Sequence, residues 1–296
     1  MNDAVVVPGA RLHVERSGDG LPLLLISGGG GDAGMYADVV PLLEKSFSVI
    51  TYDRRGNSRS PFTDPGASIT PARQADDAVA VLDHYGLERA YVFGNSGGAI
   101  ITLETVIRHP DRLLGAVAHE APLVQLLPPD SPERQEIEHI GRLGQAGHVM
   151  RAYAAFGGMT LPDPPRMFLS PAGQAVIAAG THLMLAADGL ARKITRREPD
   201  VMIRQLRNAE LLMRRELPAF CFDYRPDLAA LAATTAPWCL ATGRDSTGKP
   251  YSAPAHLLSE RLGVPCQEFP GGHIPFMQHP EEFTATLAKI LEGFEA

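Results

Sequence analysis

The sequence lacks the features that mark disulfide-rich, metal-binding and nucleic-acid-binding proteins. Its three cysteines, Cys221, Cys239 and Cys266, form no CxxC pair, which fits a reducing cytoplasm better than a disulfide framework. The ten histidines show no HExxH or Cys/His ligand spacing, so we expect no metal site. The net charge is −7 and the basic residues are scattered. We therefore expect no nucleic-acid partner, because such proteins need clustered Lys and Arg.

Long apolar runs are missing as well. No stretch approaches the ~20 apolar residues that cross a bilayer. The N-terminal segment MNDAVVVPGARLHVERSG has neither the basic region nor the apolar core of a secretory signal. We expect a cytoplasmic protein without a membrane partner.

Strand and helix patterns alternate over the first 120 residues or so. Val5–Val7 and Leu12–Glu15 predict a hairpin around Pro8-Gly9. Further strands are predicted at Leu21–Ser27, Phe47–Tyr52, Ala90–Gly94 and Leu113–Ala118, with helices between them at Met35–Glu44, Pro71–Tyr85 and up to His109. This alternation predicts the α/β class, with a mostly parallel β-sheet flanked by helices.

The middle of the chain breaks this alternation. Only helical patterns occur there, predicted at Ser131–Phe156, Gln174–Ala187 and Pro199–Leu217. Strands then return at Trp238–Thr242 and Cys266–Phe269, with helices at Tyr251–Leu262 and Pro280–Phe294. The predicted organisation is a sheet domain of residues 1–121 and 234–296, with residues 122–233 as a helical insertion.

A candidate nucleophile lies between a predicted strand and a predicted helix. Ser96 is the central residue of Gly94-Asn95-Ser96-Gly97-Gly98. A serine on such a tight turn needs small neighbours, and the following helix directs its amides at developing negative charge. The plainer interpretation is a glycine-rich turn in which Ser96 caps the helix.

Two further loops could complete a catalytic set. His273 follows the last predicted strand on a glycine loop, where it could act as the base that a serine nucleophile requires. Asp245, just beyond the penultimate strand, is the preferred acid to orient His273, and Glu120 is its rival. Glu120 could instead line the pocket, and Asp245 could be an ordinary turn residue.

The glycine loop Ser27–Asp32 permits two interpretations. Its amides could complete an oxyanion hole, with Gly29 and Gly97 as donors. Alternatively, Gly29-x-Gly31-x-x-Gly34 with Asp53 matches a dinucleotide-binding fingerprint. The second interpretation leaves Ser96, Asp245 and His273 without a role, so we favour the first.

These segments together resemble the α/β-hydrolase superfamily over nearly the whole chain. The similarity covers its oxyanion loop, its Asp-x-Arg-Gly-x-Gly-x-Ser segment, its nucleophile elbow, its acid loop and its histidine loop, here Ser27–Gly31, Tyr52–Ser58, Gly94–Gly98, Gly243–Asp245 and Gly272-His273. The resemblance implies that Asp53 and Arg54 tie loops together. It also implies that residues 122–233 form a cap, or lid, over the active site.

Several residues depart from the family pattern, and some of these departures disfavour particular branches of the family. Ser27 stands where many members carry histidine, and Asn57 replaces a usual glycine. Ser96 in place of an aspartate disfavours the dehalogenase and epoxide-hydrolase branches. Gly97 stands where prolyl-aminopeptidase-like members usually have tryptophan.

The expected reaction is cofactor-free acyl transfer to water through an acyl-enzyme. An apolar cap predicts an ester, thioester or lactone of a small hydrophobic molecule, with pocket candidates Met159, Met167, Phe168, Met184, Met202, Met213, Phe220 and Phe222. The same scaffold serves C–C hydrolases, perhydrolases, hydroxynitrile lyases and aminopeptidases, which stay open as alternatives. A non-catalytic ligand-binding protein and a dinucleotide-binding protein are the alternatives from other classes.

Overall fold

One β-sheet organises the molecule. Within residues 2–294, which the computed structural model describes, it contains eight strands, β1 (Asn2–Val7), β2 (Ala10–Ser17), β3 (Leu21–Ile26), β4 (Phe47–Tyr52), β5 (Ala90–Asn95), β6 (Leu113–His119), β7 (Trp238–Gly243) and β8 (Cys266–Phe269). They lie in the order β1-β2-β4-β3-β5-β6-β7-β8. β2 pairs antiparallel with β1 and β4, and all the other neighbours are parallel. The predicted fold class is confirmed.

Helices connect the strands and cover the sheet. In the described range the α-helices are α1 (Val40–Leu43), α2 (Pro71–His84), α3 (Gly97–Arg108), α4 (Pro132–Gln145), α5 (Val149–Thr160), α6 (Pro171–Thr195), α7 (Val201–Leu211), α8 (Leu228–Ala233), α9 (Ala253–Leu262), α10 (Pro275–Gln278) and α11 (Pro280–Glu292). Two π-helical segments, Leu212–Glu216 and Pro218–Asp223, follow α7.

The strands read as continuous apolar runs because the sheet is buried on both faces. Alternate residues of β3 enter different cores. Leu24 and Ile26 belong to a cluster that includes the insertion, whereas Leu23 and Leu25 belong to a cluster on the opposite face. All four side chains are at most 1% exposed.

The helical insertion lies between β6 and β7 and contains α4 to α8 with the two π-helical segments. The single helix predicted over Ser131–Phe156 is wrong, because the chain breaks at Gly147, whose φ is +86°. That conformation suits glycine and ends α4 before α5 begins. The ends of the predicted sheet domain, Met1, Glu295 and Ala296, lie outside the described residues.

The helix predicted over Met35–Glu44 is also wrong. The chain instead forms a short 3-10 turn at Ala33–Tyr36, capped by the Asp32 side chain, and the four-residue α1. Val39 adopts helical angles between them but has no side-chain cap. Separate short turns replace one helix because each is closed by its own local hydrogen bonds, such as that from Ala37 N to Gly34 O.

The loops that follow β3, β5, β6, β7 and β8 all leave the sheet at its carboxyl edge. In open parallel sheets this edge is where ligands bind. These five loops carry Gly29, Ser96, Glu120, Asp245 and His273, and all of them lie at one rim, facing the helical insertion. Among the residues described, no helix is both long and apolar enough to span a membrane.

Strand β3 supplies a test of the core. Leu24→Ala should lower the free energy of unfolding by about 2–5 kcal/mol, because the side chain is fully buried and its removal leaves a cavity. Leu21→Ala, on the same strand but 48% exposed, should change it by about 0.5 kcal/mol or less. Urea denaturation of both variants measures this, and equal losses would contradict the packing described.

Candidate active site

Ser96 lies on a strained turn between β5 and α3. Its φ and ψ are 56° and −119°, a conformation that few non-glycine residues adopt. A Cβ on Gly94 would lie 2.2 Å from the carbonyl oxygen of Gly98, and a Cβ on Gly98 would lie 2.1 Å from that of Ile26. Both glycines are required by close backbone contacts, as in a nucleophile elbow.

The Ser96 hydroxyl does not cap α3. The helix begins without a side-chain hydrogen bond from Ser96, whose Oγ has no hydrogen-bond partner among the described residues. The backbone of Ser96 is held by its own N–H, which donates to His119 O at 2.9 Å. The turn therefore fixes the residue and leaves the hydroxyl available to a ligand.

His273 is buried on the loop between β8 and α10. Its Nδ1 donates to Glu120 Oε2 at 2.7 Å, and its ring packs against that of Tyr251, with centroids 3.8 Å apart and a tilt of 33° between the planes. The other ring nitrogen, Nε2, has no hydrogen bond to any residue that the structure describes. His273 and Ser96 line the same two cavities. The ring is thus oriented from one side and free on the other.

Glu120 follows β6 directly and is fully buried with φ +53°. Its Oε1 accepts the N–H of Gly243 at 2.8 Å, while Oε2 accepts from His273. Burial raises the pKa of this carboxyl, but the electrostatic interaction with His119 and the hydrogen bond and charge of His273 outweigh burial, so the pKa lies below its usual value. Glu120 is therefore an ionised acceptor beneath the histidine ring.

Asp245, the preferred acid of the sequence analysis, does not reach His273. It lies exposed in the short turn Arg244–Ser246, and its backbone N–H donates to Gly271 O at 2.9 Å. In the described structure its carboxylate makes no hydrogen bond or ion pair. This geometry favours Glu120 over Asp245 as the residue that orients His273, because Asp245 is exposed while Glu120 contacts both the ring and the Gly243 amide.

Arg54 holds the glycine loop against the nucleophile. Its Nε donates to Ser27 O at 2.9 Å and its Nη2 to Gly28 O at 2.8 Å. Peptide groups are planar and trans here, so the N–H of Gly29 points away from the Gly28 carbonyl that Arg54 binds. Gly29 also lines both cavities at Ser96.

Glu216, which sequence reasoning missed, binds Arg54 from the insertion. Its carboxylate accepts from Nη1 and Nη2 at 2.7 and 2.9 Å, and both side chains are 1% exposed. Asn57 donates to the same carboxylate at 3.1 Å. The sequence does not reveal that Glu216 is buried, because glutamates in helical segments are usually exposed to solvent.

A second ionic contact joins the insertion to the loop. Arg204 of α7 binds Asp32 through two hydrogen bonds of 2.6 and 2.9 Å. Asn208 donates to the carbonyl oxygen of Gly30 at 2.6 Å. The segment from α7 to Glu216 is therefore fixed to the glycine loop at several points.

The dinucleotide interpretation does not fit this structure. Asp53, its candidate ribose acid, is fully buried and accepts from Ala33 N at 2.8 Å and from Arg59 Nε at 2.7 Å. Ionic and backbone bonds thus occupy the carboxylate. Asp53 and Arg54 tie loops together, as the family resemblance implies.

Two cavities meet at Ser96, Gly29, Phe156 and His273. The smaller one, here called the inner chamber, has a volume of about 30 Å³ and lies beside Arg54, Glu216 and Phe220. The larger one, the outer groove, has a volume of about 400 Å³ and is lined by α5, α6 and α7. The nucleophile therefore stands between a small and a large space.

The predicted pocket residues divide into three groups. Five of the eight line a cavity, namely Met159, Phe168, Met184, Met202 and Phe220. Met213 is fully buried in the core, and Phe222 packs close to Gly141. Met167 is 42% exposed and lines neither cavity. No cluster of three or more His, Cys, Asp or Glu side chains in the described part of the chain could hold a metal ion.

Comparison with known proteins agrees with the fold. The family model for the alpha/beta hydrolase fold matches residues 22–143, which include the glycine loop, Ser96 and Glu120. The chain has the α/β-hydrolase fold. It is a hydrolase, in agreement with the names of its relatives.

Two relatives and one solved structure illustrate the similarity. YraK of Bacillus subtilis (strain 168), an uncharacterized hydrolase, is 29% identical over 98% of this chain and 96% of its own length. RutD of Caulobacter vibrioides, a putative carbamate hydrolase, is 28% identical over 95% of this chain and 96% of its own. Carboxylesterase CesB (YbfK) from Bacillus subtilis shares the fold, with a TM-score of 0.69 at 18% identity, covering 99% of this α/β hydrolase and 92% of that chain.

Proposed function

We propose that this α/β hydrolase is a serine hydrolase that cleaves an ester, thioester or lactone of a small hydrophobic molecule. One observation carries the proposal. Ser96, strained and free at its hydroxyl, shares two cavities with a histidine whose Nδ1 is bound to a buried carboxylate. That arrangement suits nucleophilic catalysis with a general base.

Each side chain has a distinct role in the proposed reaction. Ser96 Oγ attacks the substrate carbonyl carbon while His273 Nε2 accepts its proton. Glu120 keeps the proton of the ring on Nδ1 and stabilises the imidazolium that forms. Glu120 thus takes the part that the sequence favoured for Asp245. The His273 proton then passes to the leaving group, and water repeats the cycle on the acyl-enzyme.

The oxyanion in this proposal is bound by two backbone amides. Gly97 supplies one because it begins α3 immediately after the nucleophile. Gly29 supplies the other, since Arg54 binds the carbonyl of the same peptide group and directs the amide away from itself. No cofactor takes part, and we expect neither nucleic acid nor membrane as a partner.

The helical insertion is proposed to act as a cap. It supplies Phe156, Met159 and Phe220 to the inner chamber and most of the outer groove. These walls are apolar, which favours a hydrophobic substrate. A carbamate is a second candidate substrate, supported by the similarity to RutD over 95% of the chain. C–C hydrolases, perhydrolases, hydroxynitrile lyases and aminopeptidases on this scaffold are less well supported.

The first prediction concerns the nucleophile. A fluorophosphonate probe should label the wild-type protein at Ser96 and fail to label Ser96→Ala. Ser27→Ala is the matched control, because Ser27 is also buried at this rim and its Oγ has no partner in the described structure. It should be labelled like the wild type. An unlabelled wild type, or labelling that survives Ser96→Ala, would overturn the proposal.

The second prediction distinguishes the two carboxylates. Glu120→Gln should lower kcat by about 10³–10⁴-fold, because an amide does not hold the imidazole as the carboxylate does. Asp245→Asn should leave kcat close to the wild-type value. Hydrolysis of a p-nitrophenyl ester measures both, with circular dichroism as the control for folding. The reverse ranking would return the role to Asp245.

The third prediction concerns the oxyanion loop. Arg54→Lys should lower kcat by about tenfold or more with little change in KM, because lysine cannot hold Ser27, Gly28 and Glu216 in one planar geometry. Arg55→Lys is the control. Arg55 is equally buried and bound to Asp77, but it lines neither cavity at Ser96.

Both arginine variants lose a buried bidentate pair, so both should unfold at lower urea concentration than the wild type. Only Arg54→Lys should lose kcat when each is assayed where it is folded. Equal losses of kcat would show that Arg54 contributes to folding only and has no separate role in the oxyanion loop.

A further inference from the structure

The two cavities at Ser96 differ in the volume that they offer to a substrate. The inner chamber, at about 30 Å³, has room for about two to three groups the size of a water molecule, since one such group needs about 10–15 Å³ on this measure. The outer groove is about 400 Å³. Any molecule with its reacting carbonyl at Ser96 can therefore extend by only a few heavy atoms on the inner side.

The inner chamber is also closed at its far end. Ile137, Leu217, Phe220 and Cys221 form its wall and are between 1% and 5% exposed. The outer groove reaches the surface, where Met202 is 56% exposed and lines it. Substrate must therefore enter, and products must leave, by the outer side.

Apart from Ser96 and His273, the polar side chains of the inner chamber already have partners. Arg54 and Glu216 neutralise each other through two hydrogen bonds, and the Tyr251 hydroxyl donates to Met159 O at 3.3 Å. A charged or strongly polar group placed there would lose its hydration without gaining a partner. The chamber is suited to a short, uncharged, apolar group.

The order of events decides which part of the substrate occupies the chamber. Attack by Ser96 Oγ forms a bond to the carbonyl carbon, and the bond from that carbon to the leaving oxygen then breaks. The leaving alcohol takes the proton that His273 received from Ser96. It must depart before water reaches the acyl-enzyme. A leaving group in the closed chamber would be trapped behind the acyl group, so the leaving group must face the outer groove.

We infer that the substrate of the proposed serine hydrolase carries a short apolar acyl group, of about two to four carbons, on a larger hydrophobic alcohol. This inference rests on the proposed function and adds the division of the substrate between the two cavities. Acyl length is limited by the inner chamber, whereas affinity for the alcohol comes from the outer groove.

Two ester series test the inference with the whole protein. Among p-nitrophenyl esters, kcat/KM should be highest from acetate to butanoate and fall by about tenfold or more at octanoate, because extra methylenes find no space. Among alkyl acetates, kcat/KM should rise from methyl to octyl by about two- to fourfold for each methylene that the groove buries. A wild-type preference for long acyl chains, or rates that fall as the alcohol lengthens, would overturn the inference.

Variants of the inner chamber should move the acyl preference in opposite directions. Ile137→Ala enlarges the chamber and should favour longer acyl groups, whereas Cys221→Met fills it and should restrict turnover to acetate. Met184→Ala is the control, because Met184 lines only the outer groove. It should alter the alcohol preference and leave the acyl preference unchanged. Because Ile137→Ala risks instability, the Cys221 variant keeps the test decisive.

The failure of this inference is distinguishable from failure of the proposed function. If the fluorophosphonate probe labels Ser96 but acyl preference ignores both chamber variants, the division of the substrate is wrong and the serine hydrolase stands. If the probe does not label Ser96, both are wrong.

Discussion

The carboxylate of Glu120 is the interaction on which the rest of the site depends. One oxygen binds the amide at the end of β7, and the other binds His273 on the loop after β8. Three adjacent loops of the sheet are thus joined by a single buried charge. Removing such a charge, or leaving it unpaired, would cost far more than a surface ion pair, because water cannot replace its partners. The strained φ of Glu120 is a price that these hydrogen bonds offset.

The insertion is joined to this framework by ionic contacts as well as by apolar packing. Glu216 binds Arg54, and Arg204 binds Asp32, on either side of the glycine loop. Both contacts join a residue of the insertion to the glycine loop or to the arginine that binds it. Docking of the insertion and the shape of the glycine loop are therefore coupled, since the arginine that Glu216 neutralises also binds two carbonyls of that loop.

Much of this architecture could be predicted from the sequence because local patterns decide it. β4 and β8 have the predicted bounds, since an apolar run between turn residues is a local signal for a buried strand. Ser96 and His273 could be named as candidates because glycine-rich loops after strands leave a clear pattern, and the two residues line the same cavities. The break at Gly147 was missed, as periodicity continues on both sides of it.

The contacts of Glu120 and of the helical insertion could not be predicted in the same way. Asp245 and Glu120 both follow parallel strands that end at the same rim, and only the tertiary path of each turn decides which reaches the histidine. Glu216 becomes meaningful only when a π-helical segment brings it to Arg54. These are contacts between residues 123 to 162 positions apart, and propensities do not encode them.

Helix α6 has a consequence for how the protein can be altered. It lends Ile177, Thr181 and Met184 to the outer groove, yet in the described chain none of the hydrogen bonds of Ser96, Glu120, His273 or Arg54 involves it. Under the proposed function, selectivity and chemistry are assigned to separate parts of the chain. Substitutions along one face of this single helix would then change which molecules the groove accepts without altering the hydrogen bonds of Glu120, His273 and Arg54.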